Sequence, residues 1–379
     1  MKLYEYEAKQ ILQKYGLPIP KGVIISSHKE VVSAWEKLGG NVVLKAQVLV
    51  GGRGKAGAIK FPESIEEAKQ LAQELFSMKV KGLPVARILV EEKVRIKREL
   101  YLGMTFDRSL KRFVIICSPM GGIEIEEIAM SHPEAIKVIP IDPFIGVRPY
   151  HAMEVCKHLK LKKENYKELS AILFNMYKAA MDHDAELIEF NPLVLTEDGK
   201  VMCVDARLNI DDNATFRHME LVSEERMKYE LSDEEIEARK YGLSYVKLDG
   251  DIGILGNGAG LVMATMDMVN LYGGKVANFL DIGGGASKEQ IEKGLSILIK
   301  DPRLKVLLVN VLGGITRCDE VAKAIVSTIE KFKIKIPMVV RLVGTNEELG
   351  REILEEKGIH VLSDMEEAVK KAVELAKVS

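Results

Sequence analysis

Only four cysteines occur in the 379 residues, Cys117, Cys156, Cys203 and Cys318, and no two stand at CxxC spacing. Neither a zinc site nor a disulfide framework is signalled. No apolar run approaches the roughly 18 residues that a membrane-spanning helix needs. Positive charge is not in excess either: 54 basic side chains face 56 acidic ones, a formal net charge of −2. Without that excess there are few counterions to release, so nucleic-acid binding is not expected as the main task. The N-terminal "MKLYEYEAKQILQKYG" alternates charged and apolar residues at helical spacing, unlike a signal peptide. These absences leave a soluble, cytoplasmic protein with no membrane or nucleic-acid partner as the expectation.

What is present is enough apolar residue (47%, mean hydropathy +0.02) for a sizeable core, and a length that suggests two domains or three. The first 240 residues mix helices with hairpin-like strand pairs. They end in "VSEERMKYELSDEEIEARKYG", read as an exposed helical connector or a solvated surface helix. From 241 to 379 the texture is regular. "DIGIL", "KVANFLDI", "KVLLVNVL", "IPMVVRLV" and "IHVLS" are each followed by a helical pattern. Five β-then-α units with near-continuous Val/Ile/Leu strands predict an α/β, doubly wound domain, its parallel sheet covered on both faces.

The stretch "VLKAQVLVGGRGKAGAIKF" carries Gly52-x-Gly54-x-x-Gly57, the spacing of a dinucleotide fingerprint. That fingerprint needs a helix directly after the glycines. Here "AIKFPES" follows, broken by Pro62, and the next helical pattern starts near Ser64. No Walker A pattern fits either. A β-hairpin with a glycine-rich tip remains, and two readings stay open. Gly52, Arg53, Gly54 and Lys55 close over a triphosphate as a lid, or they form a surface hairpin with incidental basic residues. Lys45, mid-strand in "NVVLKAQ", either reaches a phosphate or is a strand lysine that is exposed or paired.

In "AELIEFNPLVLTEDGKVMCVDARLNIDD", a three-residue loop Glu197-Asp198-Gly199 pairs Thr196 with Lys200, Asn191 with Asp205 and Glu189 with Arg207. Strand alternation then puts Glu189, Asn191, Asp205 and Arg207 on one face. The facing Asn191 and Asp205 offer oxygens suited to Mg²⁺, which takes one or two protein ligands beside phosphates and water; an ordinary polar pair is the alternative. In "ILVEEKVRIKRELYLGMTFD", Glu91 and Glu92 close one strand and Glu99 opens the next, an edge on which a nucleotide base and ribose can rest.

Later, "GNGAGLVM" imitates a dinucleotide turn, but Leu261 stands where the third glycine belongs. "NVLGGITRCDEVAKAI" ends a strand in Gly313-Gly314 and opens a helix whose free N–H groups favour an anion. The seven histidines fall outside the glycine-rich motifs, and His183 in "MDHDAELIEF" reads as a helix-end surface residue beside acids.

"LYEYEAKQIL", "GGRGKAG", "LIEFNPL", "GNGAGLVMATMD", "ANFLDIGGGA" and "NVLGGITRCD" together resemble the β-subunit family of succinyl-CoA synthetases (succinate–CoA ligases), over nearly the whole chain. The resemblance implies an N-terminal ATP-grasp domain (residues 1–240) that clamps ATP between two α+β subdomains. It implies a flavodoxin-like domain (241–379) that meets an α subunit. By the same resemblance, Lys45, Gly52, Arg53 and Gly54 bind phosphates. Glu91, Val94 and Glu99 line the base and ribose, Val94 through its backbone. Asn191 and Asp205 hold Mg²⁺, Glu189 lies near the arriving phosphohistidine, and Asn257, Gly314, Ile315 and Thr316 contact succinate. ATP, or GTP in its place, phosphorylates a histidine of the α subunit, which also carries the CoA site. The phosphate moves to succinate, and CoA displaces it. The assembly is αβ or α₂β₂. Rival readings are a ligase for malate or another short carboxylate, and a subunit that binds nucleotide without turning it over.

Overall fold

A computed structural model describes residues 1–50, 52–222 and 231–378, which fold as two compact units, Met1–Ser223 and Glu224–Ser379. Of the charged stretch read as a connector, residues 223–230 lie outside the described residues. Its remainder forms the helix Asp233–Lys240, closed by a capping box in which Ser232 and Glu235 exchange hydrogen bonds. Ala238 on this helix is fully buried among the apolar residues of the second unit. The helix therefore packs with that unit, and the first unit ends before the boundary expected at 240.

The first unit holds two antiparallel sheets. The smaller is built from β1 (Gly22–Ile25), β2 (Val42–Ala46), β3 (Ile59–Lys60) and β6 (Ile88–Glu92), in the order β1-β6-β2-β3. A separate short ribbon pairs β4 (Lys79–Val80) with β5 (Leu83–Pro84). Val42, Leu44, Ile88 and Val90 pack with the helices Val31–Lys37 and Ile65–Ser77 through Ala34, Ala68, Ala72 and Leu75. The second helix starts where Ser64 caps it, its hydroxyl accepting from Glu67 N–H at 3.2 Å. Because strand side chains alternate, Lys45 and Glu91 project from the opposite face.

The larger sheet has β7 (Ile96–Asp107), β8 (Arg112–Ser118), β9 (Lys137–Pro140), β10 (Ala185–Thr196), β11 (Val201–Cys203) and β12 (Ala206–Ile210). Its order is β11-β10-β7-β8-β9, with β12 also on β10. Glu99, expected to open this strand, lies inside β7, three residues beyond its start at Ile96. The helices Glu5–Lys14, Pro149–His158 and Tyr166–Asp182 bury Leu12, Val155, Ile172 and Met176 with Leu102, Ile115, Ile188 and Phe190 of the strands. His183 caps the last of these helices and is half-buried, its ring edge-on to Tyr15.

The hairpin β10–β11–β12 keeps the expected register. Leu195 pairs with Val201, and Glu189 with Arg207. The ladder is interrupted in between: β11 stops at Cys203, β12 resumes at Ala206, and Asn191–Pro192 lies opposite the gap. Pro192 has no N–H to give, so cross-strand pairing fails there. Asn191 and Asp205 are thus not a ladder pair.

In the second unit five parallel strands, β14 (Ile252–Gly256), β15 (Asn278–Asp281), β16 (Val306–Gly313), β17 (Met338–Gly344) and β18 (His360–Leu362), stand in the order β15-β14-β16-β17-β18. Numbered along the chain this is 2-1-3-4-5, the flavodoxin-like order. β13 (Ser244–Lys247) adds an antiparallel edge on β15. Its sequence, Ser-Tyr-Val-Lys, has the shortness and terminal lysine of an edge strand, which is why it carries no core signal. One face of the sheet packs with helices Lys288–Leu298 and Cys318–Phe332, the other with Ala259–Leu271 and Met365–Val378. No helix among the described residues is long and apolar enough to cross a membrane.

Phe190, in mid-β10, is fully buried, whereas Phe144 is 96% exposed. Phe190→Ala is expected to cost about 3–5 kcal/mol in urea unfolding of the first unit, and Phe144→Ala no more than about 0.5 kcal/mol.

Candidate functional site

Between the two sheets of the first unit lies a cleft of about 500 Å³. Gly52, Arg53 and Gly54 line one side, and Glu99, Glu189, Asn191, Asp205 and Arg207 line the other. Of the residues expected to meet a nucleotide, its metal or the arriving phosphohistidine, seven are therefore brought together: Gly52, Arg53, Gly54, Glu99, Glu189, Asn191 and Asp205. Lys45, Glu91 and Val94 are not on its walls. Gly52 has φ +79°, a backbone conformation that costs glycine nothing, and it opens the turn that carries Arg53.

Lys45 and Glu91 lie in a buried cluster of charge. The Lys45 ammonium is 3.1 Å from Glu5 Oε1, 2.6 Å from Glu91 Oε2 and 2.8 Å from the Val204 carbonyl oxygen. Lys9 joins the same groups, 2.7 Å from Glu5 and 2.6 Å from Val204 O, and also pairs with Glu91. Arg53 completes it: Nη1 donates to Glu5 Oε2 at 2.6 Å, and Nη2 donates to the Asp205 carboxylate at 2.8 and 3.1 Å. Lys45 is thus paired, with Glu5 and Glu91 as its counterions.

Three cations and three carboxylates balance in a space where single charges are costly. Burial by itself would raise the Glu5 carboxyl, but Arg53, Lys45 and Lys9 hold it well below the usual range. Burial would lower the Lys45 ammonium, and Glu5 and Glu91 override this upward. Glu5, Lys45 and Arg53 are therefore charged at neutral pH.

Across the cleft, Asn191 is oriented by the loop after β8. Its Oδ1 accepts from Gly122 N–H at 2.8 Å, and its Nδ2 donates to Ile123 O at 2.8 Å. One lone pair of Oδ1 remains beyond that bond. Asp205, 30% exposed, has its carboxylate on Arg53. These hard oxygens on one cleft fit Mg²⁺ held largely by phosphates and water. No cluster of three or more His, Cys, Asp or Glu side chains suited to caging a metal occurs among the described residues. Glu189 is largely buried, with Arg207 3.5 Å away; burial raises its carboxyl, partly offset by Arg207.

Gly121, Gly122, Glu5 and Lys9 belong to this arrangement and had no role in the sequence reading. "MGGIE", a glycine pair directly after a strand, was the available signal for the first two. For Glu5 and Lys9 the signal was two opposite charges within the stripe 5-8-9-12, otherwise apolar.

In the second unit, Asn257, Gly314, Ile315 and Thr316 meet at the carboxyl ends of β14 and β16. In a 2-1-3-4-5 sheet these strands flank the switch point where ligands bind. The Asn257 amide bonds Leu312 twice, accepting from its N–H at 2.9 Å and donating to its carbonyl at 2.8 Å. Thr316 Oγ1 accepts from Gly285 N–H at 2.8 Å. Asp281, at the end of β15, accepts from Gly258 and Gly283 N–H, at 2.6 and 2.7 Å. Three glycine loops are tied into one rim, with Ile315 86% exposed.

A Cβ on Gly121 would lie 2.3 Å from Leu100 O, whereas one on Gly54 meets nothing within 4 Å. Gly121→Ala is expected to displace the loop that orients Asn191, lowering both melting temperature and divalent-metal-dependent nucleotide affinity. Gly54→Ala should leave the melting temperature unchanged.

Comparison with known proteins matches residues 2–195 to the ATP-grasp domain family and residues 255–375 to the CoA-ligase family. A curated relative from Staphylothermus marinus, the β subunit of an ADP-forming succinate–CoA ligase, is 52% identical over 100% of this chain and 99% of its own. The corresponding Ignicoccus hospitalis subunit is 50% identical over the full length of both. Among solved structures, ATP citrate lyase from Methanothrix soehngenii in complex with citrate and coenzyme A shares the fold, with a TM-score of 0.75 at 19% identity, over 98% of this chain and 99% of that one. With the ATP-grasp and CoA-ligase domains in this order and half of all positions identical to such subunits, the chain belongs to the β-subunit family of ADP-forming succinate–CoA ligases, ATP-dependent acid–thiol ligases.

Proposed function

We propose that this chain is the nucleotide-binding β subunit of a succinate–CoA ligase, active with an α subunit that carries the phosphohistidine and the CoA site. The observation that carries the reading is the single cleft on which the Gly52–Gly54 loop faces Asn191, Asp205 and Glu189. The first unit, Met1–Ser223, takes the ATP-grasp role and the second, Glu224–Ser379, the role of meeting α, so the boundary falls ahead of the helix Asp233–Lys240 and not at 240. ATP is the nucleotide, in line with the ADP-forming relatives. The compartment is the cytoplasm; four buried, unpaired thiols suit a reducing one.

In this reading the γ-phosphoryl group passes from ATP to an imidazole nitrogen of the partner's histidine, leaving ADP. Succinate carboxylate then takes the phosphoryl group, and CoA thiol displaces phosphate to give succinyl-CoA. Backbone N–H groups of Gly52 to Gly54, with Arg53, grip the phosphates, while Lys45 supplies positive charge from behind them. Glu99 meets the ribose, and Glu91 and Val94 support the base pocket from outside its wall. Asn191 and Asp205 hold Mg²⁺, which neutralises phosphate charge when bound. Glu189 receives the imidazole, orienting it by accepting its N–H. At the other site Asn257, Gly314, Ile315 and Thr316 shape the succinate pocket, with the N-terminus of helix Cys318–Phe332 favouring anions.

For Asp205 to reach a metal, Arg53 Nη2 must release it; the guanidinium then turns that edge to a phosphate oxygen. Nucleotide binding is thus an exchange of partners within a neutral cluster, without burial of a new unpaired charge.

Assay of the chain assembled with α against a panel of short carboxylic acids is expected to give succinate-dependent consumption of CoA. Consumption with malate but not succinate would transfer the reading to the malate enzyme. Asp205→Ala should slow MgATP-dependent phosphorylation of α by about 100-fold or more. Undiminished phosphorylation would refute its role as metal ligand. The raised Glu189 carboxyl means that ionised Glu189 is lost on acidification above the usual carboxylate range. Phosphorylation of α should fall with a midpoint above about 4.3, and Glu189→Gln should abolish that limb of the pH profile.

A further inference from the structure

Within the motif "LYEYEAKQIL", Glu5 and Lys9 stand one helical turn apart and have no task in the reaction as described. Both are almost completely buried, on a helix whose other inward residues are Ala8, Ile11 and Leu12. A charged pair in such a stripe is no better for stability than well-packed apolar residues of the same size. Its partners therefore say what it does. Glu5 splits its carboxylate: Oε1 takes Lys45 at 3.1 Å and Lys9 at 2.7 Å, while Oε2 takes Arg53 Nη1 at 2.6 Å and Gln47 Nε2 at 3.5 Å. Gln47 is fixed in turn, its Oε1 accepting from Tyr6 N–H at 3.1 Å. Lys9 bonds Glu91 and Val204 O, the same two groups that draw Lys45 away from Glu5.

We propose that Glu5 and Lys9 are positioning residues for the phosphate-binding cations: Glu5 sets the spacing between Lys45 and Arg53, and Lys9 screens Glu91 so that Lys45 stays forward. The proposal rests on the assignment of Lys45 and Arg53 to the nucleotide phosphates. It follows from which atoms are engaged. Arg53 is held by Glu5 through Nη1 and by Asp205 through Nη2. Exchange of Asp205 for a phosphate pivots the guanidinium about the Glu5 contact, and the Glu5 contact survives it. Lys45 shares that carboxylate, so one buried anion places both cations before the nucleotide arrives.

The test uses the chain assembled with its α subunit, following MgATP-dependent phosphorylation of α and the KM of each substrate. Glu5→Gln is expected to raise the KM for MgATP by about 10-fold or more, leaving those for succinate and CoA within about twofold. Glu5→Asp keeps the charge but withdraws it, and should raise the same KM with little change in melting temperature. Because Glu5→Gln leaves an uncompensated buried cation and is expected to melt lower, the double variant Glu5→Gln/Lys9→Met serves as the control. It leaves Lys45 and Arg53 facing Glu91 and Asp205, balanced again. Recovery of melting temperature with a persistently high KM for MgATP supports positioning. Recovery of both, or an unchanged KM in Glu5→Asp, overturns it, because charge balance alone would then suffice. If the wild-type complex itself shows no MgATP-dependent phosphorylation of α, the assignment of function fails; that result is read before any variant is made.

Discussion

β10 cannot carry an unbroken ladder past Pro192, and the site follows from that interruption. Opposite Asn191–Pro192 the neighbouring chain leaves β11 at Cys203 and rejoins the sheet at Ala206. The two residues released, Val204 and Asp205, are free to serve other groups. Val204 turns its carbonyl to two ammonium groups, and Asp205 turns its carboxylate to Arg53. On the β10 side, Asn191 is released to the Gly122 loop. In a continuous ladder, Val204 O would be tied to sheet pairing and unable to take both lysines.

That break also sets the electrostatics. Lys45 and Glu91 come from the small sheet, Glu5 and Lys9 from a helix packed on the large one, and Val204 and Asp205 from the break itself. The charges that join the two sheets are those that border the cleft, so a nucleotide cannot engage Arg53 or Asp205 without touching the cluster. Its neutrality explains how lysine and arginine side chains stay buried: each cation's desolvation is offset by two carboxylates. Removing any one member leaves its neighbours unbalanced.

Periodicity carried the second unit almost completely. Its strands are buried on both faces and read as plain apolar runs, and only β13, short and polar at a sheet edge, left no trace. The hairpin register was legible from Gly199, because a three-residue loop fixes the pairing of everything beyond it. The same reasoning missed the break at Pro192, since register arithmetic assumes an unbroken ladder. Lys45 was visible as a mid-strand lysine and Glu91 as a strand-closing carboxylate, but their burial depends on Glu5 and Lys9, some forty and eighty residues distant in the chain. The Gly121–Gly122 loop that orients Asn191 likewise acts across roughly seventy residues, and no local pattern encodes such a contact.

On the proposed reading, the two units handle anions by different physics. The first gathers full charges, with Arg53 and Lys45 held by carboxylates and hard oxygens suited to a divalent metal. The second ties Gly258, Gly283, Gly285 and Thr316 into a rim of backbone groups beside a helix N-terminus. A nucleoside triphosphate carries several charges along a flexible chain, and stabilising charge that migrates through transfer calls for mobile cations and a metal. A carboxylate or a single phosphoryl group presents a compact anion, for which N–H groups and a helix dipole of about half a unit charge are sufficient. The proposed exchange of Asp205 for phosphate at Arg53 belongs to the first kind of site only. The second is held rigid by Asp281 and Asn257, whose hydrogen bonds all go to backbone, so it can bind its anion without exchanging any ionic partner.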